Sequence, residues 1–434
     1  TTTDFIASDI SLTNGSISNF SGSGTTYTAT FTPTGDGLCQ ISVAGGVFTD
    51  SLGTNNSASN VFDWTSDTTS PKAVITATKP NGTTVSSGST TNDANLLLTF
   101  TTEATINFTQ GDIATANGEI SNFVKETDTR YTATFIPQFA GQCTIDVNGG
   151  SYTDLGGNIN IASDQFIWTF DNVKPDMTIT AKNSSDIQVS SGTTTADSNL
   201  LVTFTSTKLI EDGTFTSSDI TVSNGLISVP SKSSGFLYTS TFTPTAIGLC
   251  TIDVLGGVYQ DTVGNVNNVA PQFQWNFDNS PISMDIEVKK VSGTVVSPGS
   301  TTVDPNLTVK FTSNKAVAAG TFIVTDISLV NGTLSSFATV NTNVYTATFT
   351  PDGDGSCNIN IAANKFTDIN GNNNSASSFS WSSDTSYPLM SISAKDPNEN
   401  DVNRGETTND SYLKLTFTSN ETTSNFDASD ITVT

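Results

Sequence analysis

Along much of the chain, apolar and polar residues alternate with a period of two. In NLLLTF (residues 95–100), Leu96, Leu98 and Phe100 fall on one face. In YTATF (131–135), Tyr131, Ala133 and Phe135 share a face and two threonines take the other. In CTIDV (143–147), Cys143, Ile145 and Val147 point one way, with Thr144 and Asp146 opposite. Successive side chains leave a strand on opposite sides, so this spacing predicts half-buried antiparallel strands. The dipeptide Asn117-Gly118 separates two such runs and predicts a tight hairpin. No stretch sustains a helical period.

These patterns repeat. Asp-Ile occurs at Asp9, Asp112, Asp219, Asp326 and Asp430, and Asn-Gly at Asn14, Asn117, Asn224 and Asn331. Each copy then carries one cysteine (Cys39, Cys143, Cys250, Cys357) and one tryptophan (Trp64, Trp168, Trp275, Trp381). The landmarks recur at intervals of 103 to 107 residues, as from Asp9 to Asp112 and from Asp112 to Asp219. About seven short strands in roughly 105 residues, with Gly, Asn and Pro turns between them, is the signature of an immunoglobulin-like sandwich. The expected fold class is all-β: tandem immunoglobulin-like β-sandwiches, end to end, as a rod. An Asp followed closely by Pro marks each joint, at residues 67–71, 171–175, 278–281 and 384–388. Whole repeats are expected at 71–174, 175–280 and 281–387. Residues 1–70 read as the later part of a repeat and 388–434 as the first part of another. The two pieces add up to about one repeat, which points to a window on a longer chain, with head-to-tail completion by a second copy as the other reading.

Composition narrows the function. Of 434 residues, 35% are hydrophobic and 13% charged, with a net charge of −25 and 26 Phe. Polarity without charge, rich in Thr, Ser and Phe, suits extracellular β-proteins better than disorder. The negative charge disfavours nucleic acid and anionic membranes. No apolar run approaches the roughly 20 residues that span a bilayer. There is no histidine, which removes Ser-His and Cys-His nucleophile pairs and the usual zinc ligands. No enzyme is expected. One cysteine per repeat, on the face of Ile and Val, reads as a buried free thiol.

The strings STTND, SDI, YTATFTP, the C.I.V.GG.FTD run and W..DTT.P together resemble the bacterial Ig-like repeats of large surface adhesins, over essentially the whole chain. That resemblance implies a non-enzymatic stalk or filament on a cell or virion surface, supporting adhesion or display of a tip that meets a receptor or glycan. It also implies calcium at the joints. An alternative is a binding module that takes a glycan or protein through its end loops; an aromatic-rich loop in one repeat alone would mark it, and none is present.

The residues themselves raise the same metal question. FTDSLGTNN (48–56) returns as YTDLGGNIN, YQDTVGNVN and FTDINGNNN, each reading Asp-x-x-Gly-x-x-Asn. The pairs are Asp50 and Asn56, Asp154 and Asn160, Asp261 and Asn267, and Asp368 and Asn374. One reading is a turn, with Asp in an Asx-turn and Gly at positive φ. The other is an oxygen cage for Ca²⁺. Two further series are candidates to join it: the joint residues Asp67, Asp171, Asp278 and Asp384, and the residues before the second strand, Asp93, Asp197, Asp304 and Asp410. The turn reading is the stronger of the two, because one or two carboxylates hold Ca²⁺ weakly. Near the Asp-Ile landmark, Glu103 and Glu421 become Lys208 and Lys315 in other copies. A carboxylate pair that changes into Asp plus Lys is not an acid/base pair, so the Asp of Asp-Ile reads as a turn cap.

Overall fold

In a computed structural model, which describes residues 1–434, the chain is all-β apart from single 3₁₀ turns. The repeat after the first joint shows the plan. Its strands are β1 (Val74–Thr78), β2 (Thr84–Val85), β3 (Ser89–Thr91), β4 (Leu96–Thr101), β5 (Ile113–Ala116), β6 (Gly118–Thr127), β7 (Arg130–Pro137), β8 (Gly141–Val147) and β9 (Phe166–Phe170). They form two sheets, ordered β6-β7-β4-β1-β2 and β5-β8-β9-β3. All pairs are antiparallel except β3 with β9, where Ser89 lies opposite Trp168. The sequence alternation sets the packing. Leu96, Leu98, Phe100, Tyr131, Phe135, Cys143, Ile145 and Val147 are all within 1% of full burial. Trp168, on β9, is fully buried and meets the Phe135 ring edge-on at 5.9 Å.

The predicted hairpin at Asn117-Gly118 is a different device. β5 pairs with β8 while β6 pairs with β7, so the chain changes sheets at this point. Asn117 takes the left-handed conformation (φ 57°), which Asn tolerates better than other side chains. Its Nδ2 donates to Phe139 O at 2.9 Å and its Oδ1 accepts from Phe139 N at 3.1 Å, so one side chain pins the β7–β8 turn. Gly118 is needed for space: a Cβ there would lie 2.4 Å from the Phe135 ring and 2.6 Å from Ile136 O. Asn-Gly therefore turns a corner of the sandwich. Cys143 sits beneath that corner, buried and unpaired like the other three cysteines. Burial pushes its thiol pKa up, which keeps it inert as a nucleophile.

Three separate apolar cores, with no residue in common, lie within residues 73–170, 177–277 and 282–381. At the two ends the sheets are smaller. Thr26–Pro33 pairs on one side only, with Gly15–Ser23, and Lys414–Ser419 pairs only with Met390–Lys395. No helix of the chain is long and apolar enough to cross a membrane.

Candidate functional site

The Asp-x-x-Gly-x-x-Asn loop follows β8 and folds back at the joint with the preceding repeat. Its two polar ends do different work. Asn160 is 3% exposed and uses its whole amide inside the loop. Its Oδ1 accepts from Ser151 N (2.8 Å) and Tyr152 N (2.9 Å), and its Nδ2 donates to Asn148 O (2.7 Å) and Ile161 O (3.1 Å). Asn56, Asn267 and Asn374 make the same four bonds. An amide with both ends satisfied is a brace. These four asparagines therefore leave the set of ligand candidates.

The aspartate at the other end faces the joint. Asp154 is 2% exposed, and its carboxylate accepts from Asn158 N at 2.8 Å and Asn158 Nδ2 at 3.1 Å. Asn158 Nδ2 also donates to Asp67 O at 3.1 Å, across the joint. Asn265 and Asn372 make the same bridge to Asp171 O (2.9 Å) and Asp278 O (2.8 Å). Sequence reading passed over this asparagine. The signal was there, because Asn stands four residues after Asp154, Asp261 and Asp368, but Thr54 breaks the series in the first copy. Asp50 accepts from Leu52 N and Thr54 N in the ordinary turn manner.

A third side chain completes the joint, and its charge differs between repeats. At the first joint, carboxylate oxygens of Asp67, Glu103 and Asp154 lie within 4.8 Å of one another. At the second, Lys208 takes the place of Glu103. Its Nζ lies 2.6 Å from Asp171 Oδ1 and 3.2 Å from Asp261 Oδ2, and it also donates to Val173 O. At the third, Lys315 Nζ lies 2.9 Å from Asp278 Oδ2 and 3.5 Å from Asp368 Oδ2, with Ser280 O and Oγ both at 2.7 Å. At the fourth, Glu421 returns, and Ser386 Oγ donates to it at 2.9 Å while lying 3.5 Å from Asp384 Oδ1. Glu103 thus belongs with Asp67 and Asp154. The Asp-Ile aspartate Asp112 caps its 3₁₀ turn, accepting from Thr109 N at 2.7 Å.

The other aspartate series, Asp93 and its equivalents just before β4, stays outside this group. Asp197, Asp304 and Asp410 accept from the hydroxyls of Thr195, Thr302 and Thr408, two residues earlier, in short local turns. Asp93 Oδ2 lies 3.1 Å from Lys79 Nζ, and Asp304 Oδ2 lies 3.4 Å from Lys290 Nζ.

The lysine joints shift the titration of their own groups. Burial works against the Lys208 ammonium, but its hydrogen bonds to Asp171 and Asp261 outweigh that and raise its pKa. Burial likewise pushes Asp261 up, yet hydrogen bonds from Asn265 and then Lys208 bring it below the ordinary value. Asp278, held by Lys315 and Ser280, falls from 3.8 to about 2. A carboxylate depressed on folding stabilises the native state above its unfolded pKa, and loses that contribution as pH falls through the folded one. The repeat after the third joint should therefore weaken between about pH 4 and pH 2 through Asp278. Thermal melts across that range, read by circular dichroism, should show a shallower pH slope in Asp278→Asn than in the wild type.

The donor set is all oxygen at the first joint, with no Cys or His, which suits Ca²⁺ or Mg²⁺ and not zinc or copper. Room exists as well. A Cβ on Gly156 would lie 3.0 Å from Asp67 Oδ2 and 3.2 Å from Asp154 Oδ1, so the glycine leaves both carboxylates uncrowded. Asp67, Glu103 and Asp154 fit a hard divalent cation; when bound, such an ion would supply the positive charge that ties the joint residue to the loop.

Sandwiches of this topology, repeated and docked through the same loop, define a tandem Ig-like chain. The family described as bacterial Ig-like domain matches residues 1–65, 67–168, 171–277 and 289–385, and the chain belongs to it. No curated protein matches the chain. Among solved structures, invasin, described as a bacterial integrin-binding protein, is 14% identical with a TM-score of 0.33, covering 90% of this chain and 74% of its own. InvD of Yersinia pseudotuberculosis is 12% identical with a TM-score of 0.30, covering 73% of this chain and 98% of its own. Domains 1–6 of the surface layer protein SbsC are 14% identical with a TM-score of 0.21, covering 96% of this chain and 59% of theirs.

Proposed function

We propose that the chain is a non-enzymatic structural stalk of Ig-like repeats on a cell surface, holding an adhesive or display function away from that surface. The observation that carries this reading is the recurrent joint. At three successive joints an asparagine of the following repeat donates to the backbone carbonyl of the joint aspartate, at 3.1, 2.9 and 2.8 Å. A linker gripped at the same atom each time, and followed closely by proline, is a poor hinge. No catalytic constellation stands apart from the repeat. What recurs is architecture, with stability distributed repeat by repeat.

Small-angle X-ray scattering tests it. A compact globule of this length has a radius of gyration of about 22 Å. A stalk should exceed that by about twofold, and a value near the compact one would sink the reading. The same experiment bears on head-to-tail pairing. In whole repeats Phe100 lies opposite Tyr131 and Leu98 opposite Ala133; the matching residues at the open edges are Phe417 with Tyr27 and Leu415 with Ala29. Assembly through those edges would appear as a mass that grows with concentration.

A further inference from the structure

We infer that the outer sheet face of the repeat 71–174 carries a carbohydrate subsite, a shallow depression that takes one neutral hexopyranose unit between Arg130, Glu126 and a set of threonine hydroxyls. Three observations converge. The first is a place where the repetition breaks. Arg130 is one of two arginines in 434 residues. It precedes Tyr131, and Glu126 follows the residue opposite that tyrosine, Lys125. In the next two repeats the same register puts Leu237 with Ser233, and Val344 with Val340, at these places. In the first piece it puts Thr26 with Ser23. What serves the architecture recurs, and this pair does not. Its side chains are 54% and 44% exposed, and an ion pair so open to water contributes little to stability. The fold therefore does not require it.

The second is shape. The pair stands at a depression of about 310 Å³ over β7, β4 and β1, at the small end of the range for ligand sites. Thr99 lies opposite Thr132, and Leu97 lies between Thr78 and Thr134. Alternate residues along a strand are about 7 Å apart and neighbouring strands about 5 Å, comparable to the width of a pyranose ring. Leu97, 43% exposed, gives the floor an apolar spot for the C–H face of that ring. Asn122, in the left-handed conformation (φ 50°) at a bulge of the edge strand β6, also lines it.

The third is unspent hydrogen bonding. Glu126 Oε2 accepts from Arg130 Nε at 2.8 Å, and its Oε1 accepts from Thr132 Oγ1 at 3.3 Å. The guanidinium is thus held through Nε, and its two Nη groups are left to donate elsewhere. At Thr99 and Thr134 the backbone carbonyl takes the side-chain hydrogen bond, so both hydroxyls are free. A guanidinium beside a carboxylate donates to one hydroxyl and accepts from its neighbour, which suits a vicinal diol. Charge selects the neutral sugar. Glu126 already neutralises Arg130, and a chain of net charge −25 repels an acidic one. The subsite lies on a sheet face, away from the joints, and stands whether or not the chain is a stalk.

The test is saturation-transfer difference NMR of the full 434-residue chain with methyl α-glucoside, methyl α-galactoside and methyl α-mannoside, and with galacturonic acid as the charged control. At least one neutral glycoside should bind with Kd of about 10⁻³ M, as expected of so small a ligand on an open face. Arg130→Leu, which copies the next repeat, should weaken that binding by about tenfold or more. Arg130→Lys should also weaken it, because the charge stays and the planar fork is lost. Thr99→Val, close in shape, should cost about threefold. Thermal melts followed by circular dichroism should stay at the wild-type value in all three variants, which separates a lost contact from a lost fold. The subsite is refuted if no neutral glycoside gives more transfer with the wild type than with Arg130→Leu, or if galacturonic acid binds more tightly than all three glycosides.

Discussion

Replacing Trp168 with alanine should lower the stability of its own repeat by about 3–5 kcal/mol, the cost usual for deleting a large aromatic from a packed core. The ring is fully buried and touches Phe135 and Phe170, at centroid distances of 5.9 and 5.7 Å. Its Nε1 donates to Thr91 Oγ1 at 3.2 Å, tying β9 to the short parallel strand β3. Removing it empties the centre of one sandwich and unties that edge. A single domain has about 5–15 kcal/mol in total, so the loss takes a large share. The three cores are separate, so urea unfolding followed by circular dichroism should show one transition moving to lower denaturant while the rest stay. A uniform shift of the whole curve would mean that the repeats unfold as one unit. Trp168→Phe should cost less, because it keeps most of the apolar volume.

The core that this substitution attacks was legible in the sequence, for a physical reason. Half-buried strands force period two, and a sandwich needs the same inward residues in every copy, so alternation and repetition report one constraint twice. The Asn-Gly corner was misread because the two residues satisfy more than one demand. The dipeptide suits a two-residue hairpin, yet here Asn117 alone takes positive φ and Gly118 makes way for the Phe135 ring. Local sequence cannot say whether the strands on either side pair with each other or with different partners.

The joint was legible in part. The Asp-x-x-Gly-x-x-Asn recurrence located the loop, and the fold sets Asp67, Asp171 and Asp278 beside its aspartate. What could not be read was which oxygens were free. Asn160 and Asp154 look alike as donors of oxygen, but the first spends its amide on the loop and the second faces the joint. The change from Glu103 to Lys208 was visible, and was used only to dismiss acid/base chemistry. Its meaning depends on Glu103 lying near Asp67, 36 residues earlier, and Asp154, 51 residues later. Only the fold supplies that proximity.

Lys208→Met should be the most damaging change at a joint. Methionine keeps much of the stem's apolar contact but leaves Asp171 and Asp261 facing each other with no cation between them. Breaking a buried pair by removing one partner costs about 3–5 kcal/mol. Lys208 and Asp171 are 21% and 26% exposed, so water recovers part of this, and about 2–3 kcal/mol is expected. The pH dependence identifies the cause. Hydrogen bonds from Asn265 and then Lys208 hold the Asp261 pKa below its ordinary value despite burial. The part due to lysine therefore stabilises the wild type above that ordinary value and fades as pH falls through the folded one. Methionine removes this part, so the gap between variant and wild type should be widest near neutral pH and should narrow below about pH 4. Denaturant midpoints at pH 7 and pH 3.5 measure it. A gap that stays constant across that range would assign the loss to packing of the lysine stem, and the ammonium would then be a passenger at the joint.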